Sequence, residues 1–324
     1  MGGWPSSAKK EESPALAAFS GARCIDFGGR GSDRWRTLAP YKRRWGPDLG
    51  QSSMANSEDL PAQHHSLSSM LFSGGDPRVR HWPLMGSPAV IVSILAGYLY
   101  FSLRLGPALM KNRRAFPIRP VVVAYNVVMV LLSVYFFCLT LRLTYLRDRT
   151  PSLQPYDLFC QGTDTTASAG PLLYHGWFYM LMKVGELLDT VFFVLLKKNS
   201  HISFLHLLHH SLALSTVWMD INNGITGQVA MFPILNTAVH MFMYTYYGLA
   251  ALGPSLRPNL WWKKYVTQLQ IIQFFMLMVH GGIPIFYDCG FPRIMSYFMV
   301  LETALFTGLF SDFYYRNYLL RKDE

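Results

Sequence analysis

Three histidines, His206, His209 and His210, lie within five residues of one another in this chain. Spacings of three and four place them on one face of a helix. Imidazole can bind a metal, move protons near neutral pH or act as a nucleophile. In a membrane helix, a single histidine is most often a hydrogen-bonded packing residue. Three so close together favour a chemical site.

A second stripe of reactive side chains precedes this group. It contains Lys183, Glu186, Asp189 and Thr190. The three charged residues are spaced three residues apart, so they share one side of a helix. A charge at bilayer depth costs roughly 2.5–3.5 kcal/mol. The three charges must therefore face inward and pair. An internal ion-pair network that only fixes helix packing remains open for Lys183 and Glu186.

Two later segments repeat the pattern. Asn236, His240 and Tyr244 recur every fourth residue, and Tyr247 extends this stripe, although an interfacial position is also open for it. Thr267, Gln270, Gln273 and His280 share one broad face of the next segment. Four successive segments thus carry polar faces that lipid would not tolerate, and we expect them to line one internal cavity.

The segments that carry these residues are apolar enough to be membrane helices. Of the 324 residues, 51% are hydrophobic and only 15% are charged. Residues 121–141, 224–256 and 265–287 contain no Asp, Glu, Lys or Arg. A backbone in hydrocarbon must satisfy its own hydrogen bonds, so such runs are read as helices. The alternative is a set of buried helices in the core of a large soluble protein, but such a core rarely contains three uncharged runs of this length.

The sequence predicts an all-α membrane protein with seven transmembrane helices. The predicted spans cover residues 88–105, 119–142, 171–196, 202–221, 226–251, 264–286 and 293–315. Residues 1–70 read as a disordered extension, residues 71–318 as the membrane domain and residues 319–324 as a tail.

The distribution of basic residues predicts the orientation. The loops after the first, third and fifth spans carry most of them, including Lys197, Lys198, Lys263 and Lys264, and the tail adds Arg321 and Lys322. The positive-inside rule places these loops and the C-terminus in the cytosol, and the N-terminus on the lumenal side. We interpret the net charge of +10 as serving to orient the protein in the membrane and to attract anionic substrates or lipid. We expect no nucleic-acid partner.

Cys160 and Cys289 then lie together on the non-cytosolic side. That compartment is oxidising, so we predict a disulfide between them, with two free thiols as the alternative.

No His-Glu-x-x-His zinc motif, Gly-x-Ser-x-Gly elbow or phosphate loop accompanies the polar stripes. A membrane di-iron desaturase or hydroxylase uses a similar histidine box but more histidines. A lipid transporter or receptor needs polar residues but no compact box. Both alternatives remain open at this point.

The motifs together resemble the very-long-chain fatty-acid elongase family, the membrane 3-ketoacyl-CoA synthases. The resemblance covers residues 76–318. It rests on four motifs in order: Lys183-x-x-Glu186-x-x-Asp189-Thr190, His206-x-x-His209-His210, Asn236-x-x-x-His240-x-x-Met243-Tyr244, and Thr267-x-x-Gln270-x-x-Gln273. Asp76-Pro77-Arg78-Val79 resembles the opening of animal members that use saturated and monounsaturated chains.

The resemblance implies an enzyme of the endoplasmic reticulum with six of its seven helices around a closed tunnel. It implies condensation of a long acyl-CoA with malonyl-CoA, with no cofactor or metal in this step. The reductases and dehydratase of the elongation cycle would be partners, and oligomerisation is left open. Leu214, Ser215 and Val217 depart from the family, which leaves the preferred chain length undetermined.

The residues also suggest a mechanism. No cysteine accompanies the polar stripes, so we expect an imidazole, that of His209, to take the acyl group. His206 and His210 would orient it and move protons, and His240 would stabilise an oxyanion or enolate. Glu186 and Asp189 would set the charge of the imidazoles. The four lysines Lys197, Lys198, Lys263 and Lys264 are candidates for the CoA mouth, or serve orientation alone.

Overall fold

The computed structural model describes residue 68 and residues 74–147, 154–253 and 260–320. Nearly all of the predicted N-terminal extension lies outside these residues, as do Asp148, Arg149 and Arg257 of the connecting loops and Arg321 and Lys322 of the tail. The described residues fold into helices and loops, with no β-strand among them.

Eight α-helices carry the described part of the chain. They are α1 (Pro88–Met110), α2 (Arg119–Leu143), α3 (Gly170–Glu186), α4 (Leu188–Leu195), α5 (Phe204–Asn222), α6 (Met231–Leu252), α7 (Lys263–Phe286) and α8 (Arg293–Leu319). One turn of α1, Phe101–Leu105, and the last turn of α8, Tyr315–Leu319, are π-helical.

Four of these helices, α1, α2, α7 and α8, are long and apolar enough to cross a bilayer. The all-α, multi-pass membrane class expected from the sequence is confirmed to this extent. The other helices coincide with the remaining predicted spans but carry more polar side chains.

The boundaries of two predicted spans are wrong in detail. Residues 171–196 form two helices instead of one, because the chain tightens at Leu187, whose amide bonds to Val184 O and whose carbonyl accepts from Thr190 N. These are three-residue hydrogen bonds of the 3₁₀ type. The fifth span starts with a 3₁₀ turn, Gly227–Ala230, before α6 begins at Met231.

The N-terminus of α5 is fixed by its cap. Ser203 has extended backbone angles, and its hydroxyl accepts a hydrogen bond from the amide of His206 at 3.2 Å. A serine cap satisfies one of the free amides in the first turn and stabilises a helix by about 1 kcal/mol. The first histidine of the group is therefore held directly by the helix start.

The interior is packed by large side chains of several helices. Met180, Leu214, Trp218, Tyr244 and Leu277 are all at most 2% exposed. The closest helix pairs are α2 with α6, α7 with α8, and α3 with α5. Among the described residues, the buried charged residues and histidines lie on α3, α4, α5 and α6 with the exception of Glu302, so this packing brings the polar stripes together.

Loops at one end of the helices form a compact layer, here called the loop cap: residues 74–87, 154–169, 222–230 and 287–292. Arg78 is its centre. Its guanidinium pairs with Asp76 at 2.8 Å and donates to the carbonyl oxygens of Asp164, Thr166 and Gly224. One side chain thus ties three separate loops.

Two further contacts close the loop cap. A disulfide joins Cys160 to Cys289, which are 129 residues apart in the chain. Gly227 has φ +78°, and a Cβ there would overlap the carbonyl oxygen of Gly162. Gly162 is equally tight, because its own Cβ would overlap the carbonyl oxygen of Cys289. The loops here approach backbone to backbone.

Candidate active site

An ion pair inside the helix bundle forms the base of the site. Lys183 Nζ lies 2.8 Å from Glu186 Oε1, and both side chains are at most 2% exposed. Lys183 Nζ also donates to Asn236 Oδ1 at 2.6 Å. The α3 stripe and the α6 stripe therefore meet, and the two buried charges neutralise each other.

His240 is attached to the same group. Its Nε2 lies 3.2 Å from Asn236 Nδ2, and its Nδ1 lies 3.3 Å from Glu186 Oε1, within ion-pair reach but without hydrogen-bond alignment. Tyr179 adds a further member, because its hydroxyl donates to Asn236 Oδ1 at 2.8 Å. We call Tyr179, Lys183, Glu186, Asn236 and His240 the polar cluster.

A second hydrogen-bonded chain runs to the histidine group. The hydroxyl oxygens of Tyr98 and Thr190 are 2.9 Å apart, and Thr190 Oγ1 lies 2.8 Å from His206 Nε2. These residues belong to α1, α4 and α5. The ring of His206 is therefore oriented by two helices besides its own.

The three histidines of α5 differ in their surroundings. The ring centroids of His206 and His210 are 4.4 Å apart, and those of His209 and His210 are 5.5 Å apart. The His209 ring lies edge-on to Phe274, Phe306 and Phe310, with centroid distances of 5.1–6.0 Å. Among the described residues it makes no hydrogen bond. His209 is thus the member with an apolar wall.

The histidine group and the polar cluster lie on helices that pack together. The helix α3, which carries Lys183 and Glu186, packs against α5, and α6 contributes Asn236 and His240 to the polar cluster. The Lys183–Glu186 pair brings opposite charges into this region and so adds little net charge. An imidazole can act as a nitrogen nucleophile, and hydrogen-bonding groups for a developing negative charge stand nearby.

The remaining predicted residues of α4 and α6 lie beside this set. Tyr244 is fully buried, and its hydroxyl donates to Asp189 Oδ2 at 3.0 Å. Tyr247 is 40% exposed and touches the set only through ring contact with Tyr244. The predicted inward stripe thus includes Tyr244, with Tyr247 at its edge.

The α7 stripe is brought in only in part. Gln273 is buried, and Gln270 Nε2 lies 3.5 Å from the Met243 sulfur on α6. His280 belongs to the other end of α7, where its carbonyl accepts from Gln228 Nε2 of the loop cap. Neither ring nitrogen of His280 has a hydrogen-bond partner among the described residues. The structure does not join His280 to the polar cluster.

The predicted mouth lysines lie near the far end from the loop cap. Lys197, Lys198 and Lys263 are exposed, and Lys264 Nζ stands 4.9 Å above the Tyr265 ring. Burial, and then the charges of Lys198 and Lys263, hold the pKa of His201 below its usual value. Lys198, in the loop after α4, and Lys263, at the start of α7, therefore create one positive region. Among the described residues, His, Cys, Asp and Glu form no group of three placed to hold a metal ion.

Comparison with known proteins identifies the family. The sequence pattern of the family described as "ELO: GNS1/SUR4 family" matches residues 83–324, about three quarters of the chain. This chain belongs to the ELO family. The resemblance inferred from the four motifs is thereby confirmed.

Individual ELO-family relatives support the assignment along most of the chain. Mouse very long chain fatty acid elongase 1 is 39% identical over 250 residues, which is 76% of this chain and 88% of the relative. Rat elongase 7 is 40% identical over 248 residues, 75% of this chain and 85% of the relative. Human elongase 4 is 39% identical over 249 residues, 76% and 77% respectively.

Four buried residues of this ELO-family chain were missed by the sequence analysis. Tyr98 and Tyr179 are aromatic residues in aromatic-rich helices, and nothing in their spacing marks them as polar contacts. Asp220 and Glu302 are buried carboxyl groups in α5 and α8. The cost of burying charge, which singled out Glu186, would have found both.

Proposed function

We propose that the chain condenses a long-chain acyl-CoA with malonyl-CoA to give a 3-ketoacyl-CoA, CoA and carbon dioxide. The observation that carries the proposal is the packing of α5, with its three histidines, against α3, whose Lys183 and Glu186 join Asn236 and His240 of α6 in one buried network. The names of the relatives support fatty-acid elongation, and the geometry supports an acyl-transfer site.

The first half-reaction would use His209. Its unprotonated ring nitrogen attacks the thioester carbonyl, the carbon–sulfur bond breaks, and the displaced CoA thiolate takes the ring proton. The aromatic wall of Phe274, Phe306 and Phe310 would protect the acyl-imidazole from water. His206, held by Thr190, and His210 would orient the ring and carry the proton.

The second half-reaction would consume malonyl-CoA. Loss of carbon dioxide leaves an enolate whose carbon attacks the acyl-imidazole carbonyl, and the released imidazole takes up one proton from solvent. His240 and Asn236 would stabilise the enolate oxygen, with Gln270 and Gln273 as further donors. No electrons are transferred, so no redox cofactor is needed in this step.

The same proposal includes the membrane arrangement. α5 has 19 residues and α6 has 22, so each extends about 28–33 Å, enough to span a bilayer core. With α3 and α4 as one span, the chain would cross seven times, and six of the seven spans would surround a closed tunnel. The exposed lysines would face the cytosol and bind CoA phosphates, and the loop cap would lie in the lumen of the endoplasmic reticulum.

The direct test is condensation by the purified protein. In detergent with radiolabelled malonyl-CoA and a panel of saturated and monounsaturated acyl-CoAs, we expect labelled 3-ketoacyl-CoA two carbons longer than the primer. No pyridine nucleotide should be required, and reductases and the dehydratase would act on the product afterwards. Unchanged chain length with a new double bond or hydroxyl, together with stoichiometric iron, would identify a desaturase or hydroxylase instead. Binding of acyl-CoA without any product would indicate a transporter.

The covalent step has its own test. Incubation with acyl-CoA alone should release one equivalent of CoA and leave an acyl group on the peptide that contains His209. Mass spectrometry of the rapidly denatured protein locates the adduct. An adduct on another residue, or turnover without any CoA release in the absence of malonyl-CoA, would exclude the acyl-imidazole at His209.

A further inference from the structure

A cavity of about 60 Å³ lies between the polar cluster and the loop cap. Its walls come from the end of α2, the start of α3, the end of α5 and the start of α6, and they are mostly apolar, including Phe136, Leu173, Val217, Ile221 and Phe232. A water-sized group needs about 10–15 Å³ of such space, so the cavity has room for about four or more of them.

The cavity is aligned with the histidine group. His206, His209 and His210 each have a counterpart eleven residues later on α5, and these counterparts, Val217, Asp220 and Ile221, all line the cavity. Eleven residues advance a helix by about 16 Å and turn it only about 20° beyond three full turns. A chain attached at His209 and running along this face of α5 would therefore enter the cavity.

The polar cluster and the cavity also share a wall. The ring of Tyr179 lines the cavity, while its hydroxyl donates to Asn236 Oδ1 in the polar cluster. Tyr179 thus belongs both to the cavity wall and to the polar cluster.

Five polar side chains also line the cavity, those of Thr140, His175, Tyr179, Asp220 and Thr226, and among them only Asp220 has a buried atom without a hydrogen-bond partner in the described part of the chain. Asp220 is 9% exposed, and the atom without a partner is its Oδ1. A buried acceptor without a partner is unfavourable. A purely hydrocarbon occupant would leave this oxygen unpaired, whereas an occupant with a donor at its tip would satisfy it.

The second buried carboxyl of this region is different. Glu302 of α8 accepts a hydrogen bond from Thr216 Oγ1 at 2.8 Å and is not part of the cavity wall. The Glu302 carboxyl group therefore already has a hydrogen-bond donor within the protein. Asp220 is therefore the carboxyl that remains for a ligand.

We propose that this cavity takes the end of the acyl chain farthest from the thioester, and that Asp220 accepts a hydrogen bond from a hydroxyl group carried at that end. The substrate class is an acyl-CoA with a terminal hydroxyl, long enough to reach from His209 to Asp220. The proposal rests on the proposed condensation and adds a specificity-determining residue to it. A neutral hydroxyl suits the site, since it donates one hydrogen bond and brings no second negative charge next to the carboxyl group.

The experiment compares matched primers. Wild-type protein is given malonyl-CoA with pairs of plain and terminally hydroxylated acyl-CoAs of equal carbon number, over a range of lengths. We expect the hydroxylated primer to be favoured about tenfold in kcat/KM once the chain reaches the cavity, and neither primer to be favoured for shorter chains.

Three variants locate the effect. Asp220→Leu should remove the preference while the plain primer is still extended, and Asp220→Asn, which keeps an oxygen at this position, should retain most of it. Glu302→Gln is the matched control and should leave the ratio unchanged. Thermal melting of each variant shows that it is folded.

Two results would overturn the subsite alone: the same ratio in wild type and Asp220→Leu at every length, or an equal loss in Glu302→Gln. If wild-type protein extends neither primer at any length, the condensation itself is refuted, and the subsite with it.

Discussion

The polar cluster around Lys183 and the loop cap around Arg78 are both polar networks, but different parts of the chain build them. In the polar cluster, side chains bond to side chains within the helix bundle. In the loop cap, side chains bond mainly to backbone carbonyls of neighbouring loops. The first arrangement concentrates titratable groups in one place, and the second fixes the path of the backbone. We therefore expect chemistry to depend on the polar cluster and stability to depend on both.

The largest expected effect is at the histidine group. His209→Ala should lower the condensation rate by at least about a thousandfold, equivalent to roughly 4 kcal/mol of barrier, because the proposed nucleophile is gone. The melting temperature should stay close to that of wild type. His81→Ala, at an exposed histidine of the loop cap, is the control and should retain full activity. Substantial condensation by His209→Ala would remove His209 from the reaction.

Loss of one partner in the ion pair comes next. Lys183→Met leaves Glu186 buried without its counter-charge, which costs about 3–5 kcal/mol, so the melting temperature should fall strongly. Lys183→Met combined with Glu186→Gln removes both charges and should recover much of the stability. Activity should stay low in both, since the single variant leaves the Glu186 charge beside His240 unbalanced and the double variant removes the carboxylate. A fully active double variant would show that the pair serves packing alone.

A smaller effect is expected in the loop cap. Arg78→Leu removes one ion pair and three hydrogen bonds to carbonyls, some of them solvent-exposed, and should destabilise the protein by about 1–2 kcal/mol. Thermal melting would measure this, while kcat/KM per folded molecule should change less than about twofold, which is about 0.4 kcal/mol. Arg80→Leu, at an exposed position in the same loop, is the control and should change neither the melting temperature nor kcat/KM. A large loss of turnover in folded Arg78→Leu would erase the distinction between the two networks.

The smallest effect concerns acid. Burial raises the pKa of Asp76, but the hydrogen bonds and charge of Arg78 outweigh it, so the pKa lies below the usual 3.8. A carboxyl group with a lowered pKa stabilises the fold above its unfolded value, and this contribution is lost as the pH falls through the folded value. Wild type should therefore lose more melting temperature below pH 3.8 than Asp76→Asn does. Parallel curves for the two proteins would show that Asp76 makes no such contribution.

The sequence predicted the burial of Lys183, Glu186, Asn236 and His240, because two simple rules determine it. Helical periodicity placed Lys183 with Glu186 and Asn236 with His240, and the cost of charge in lipid turned them inward. Neither rule identifies which residues of different helices meet. The hydroxyl chain from Tyr98 through Thr190 to His206 depends on how α1 packs, which no spacing within one helix reveals.

Other features were harder to predict for a related reason. His280 has the same periodicity as Gln270 and Gln273. It lies ten residues beyond Gln270, however, which places it about 15 Å further along the helix, next to the loop cap. The break at Leu187 has no proline to mark it, and the nearby Gly185 is not a specific signal, because glycine is frequent in membrane helices. The carbonyls that bind Arg78 are set by loop conformation, and side-chain pattern does not encode it.

The contact between Gly162 and Gly227 has a consequence for inherited variation. Neither residue has a reactive side chain, yet even a methyl group at either position would collide with a neighbouring backbone. A single-nucleotide change from glycine to alanine here should therefore be damaging in a carrier, and a survey of variants restricted to reactive side chains would overlook it.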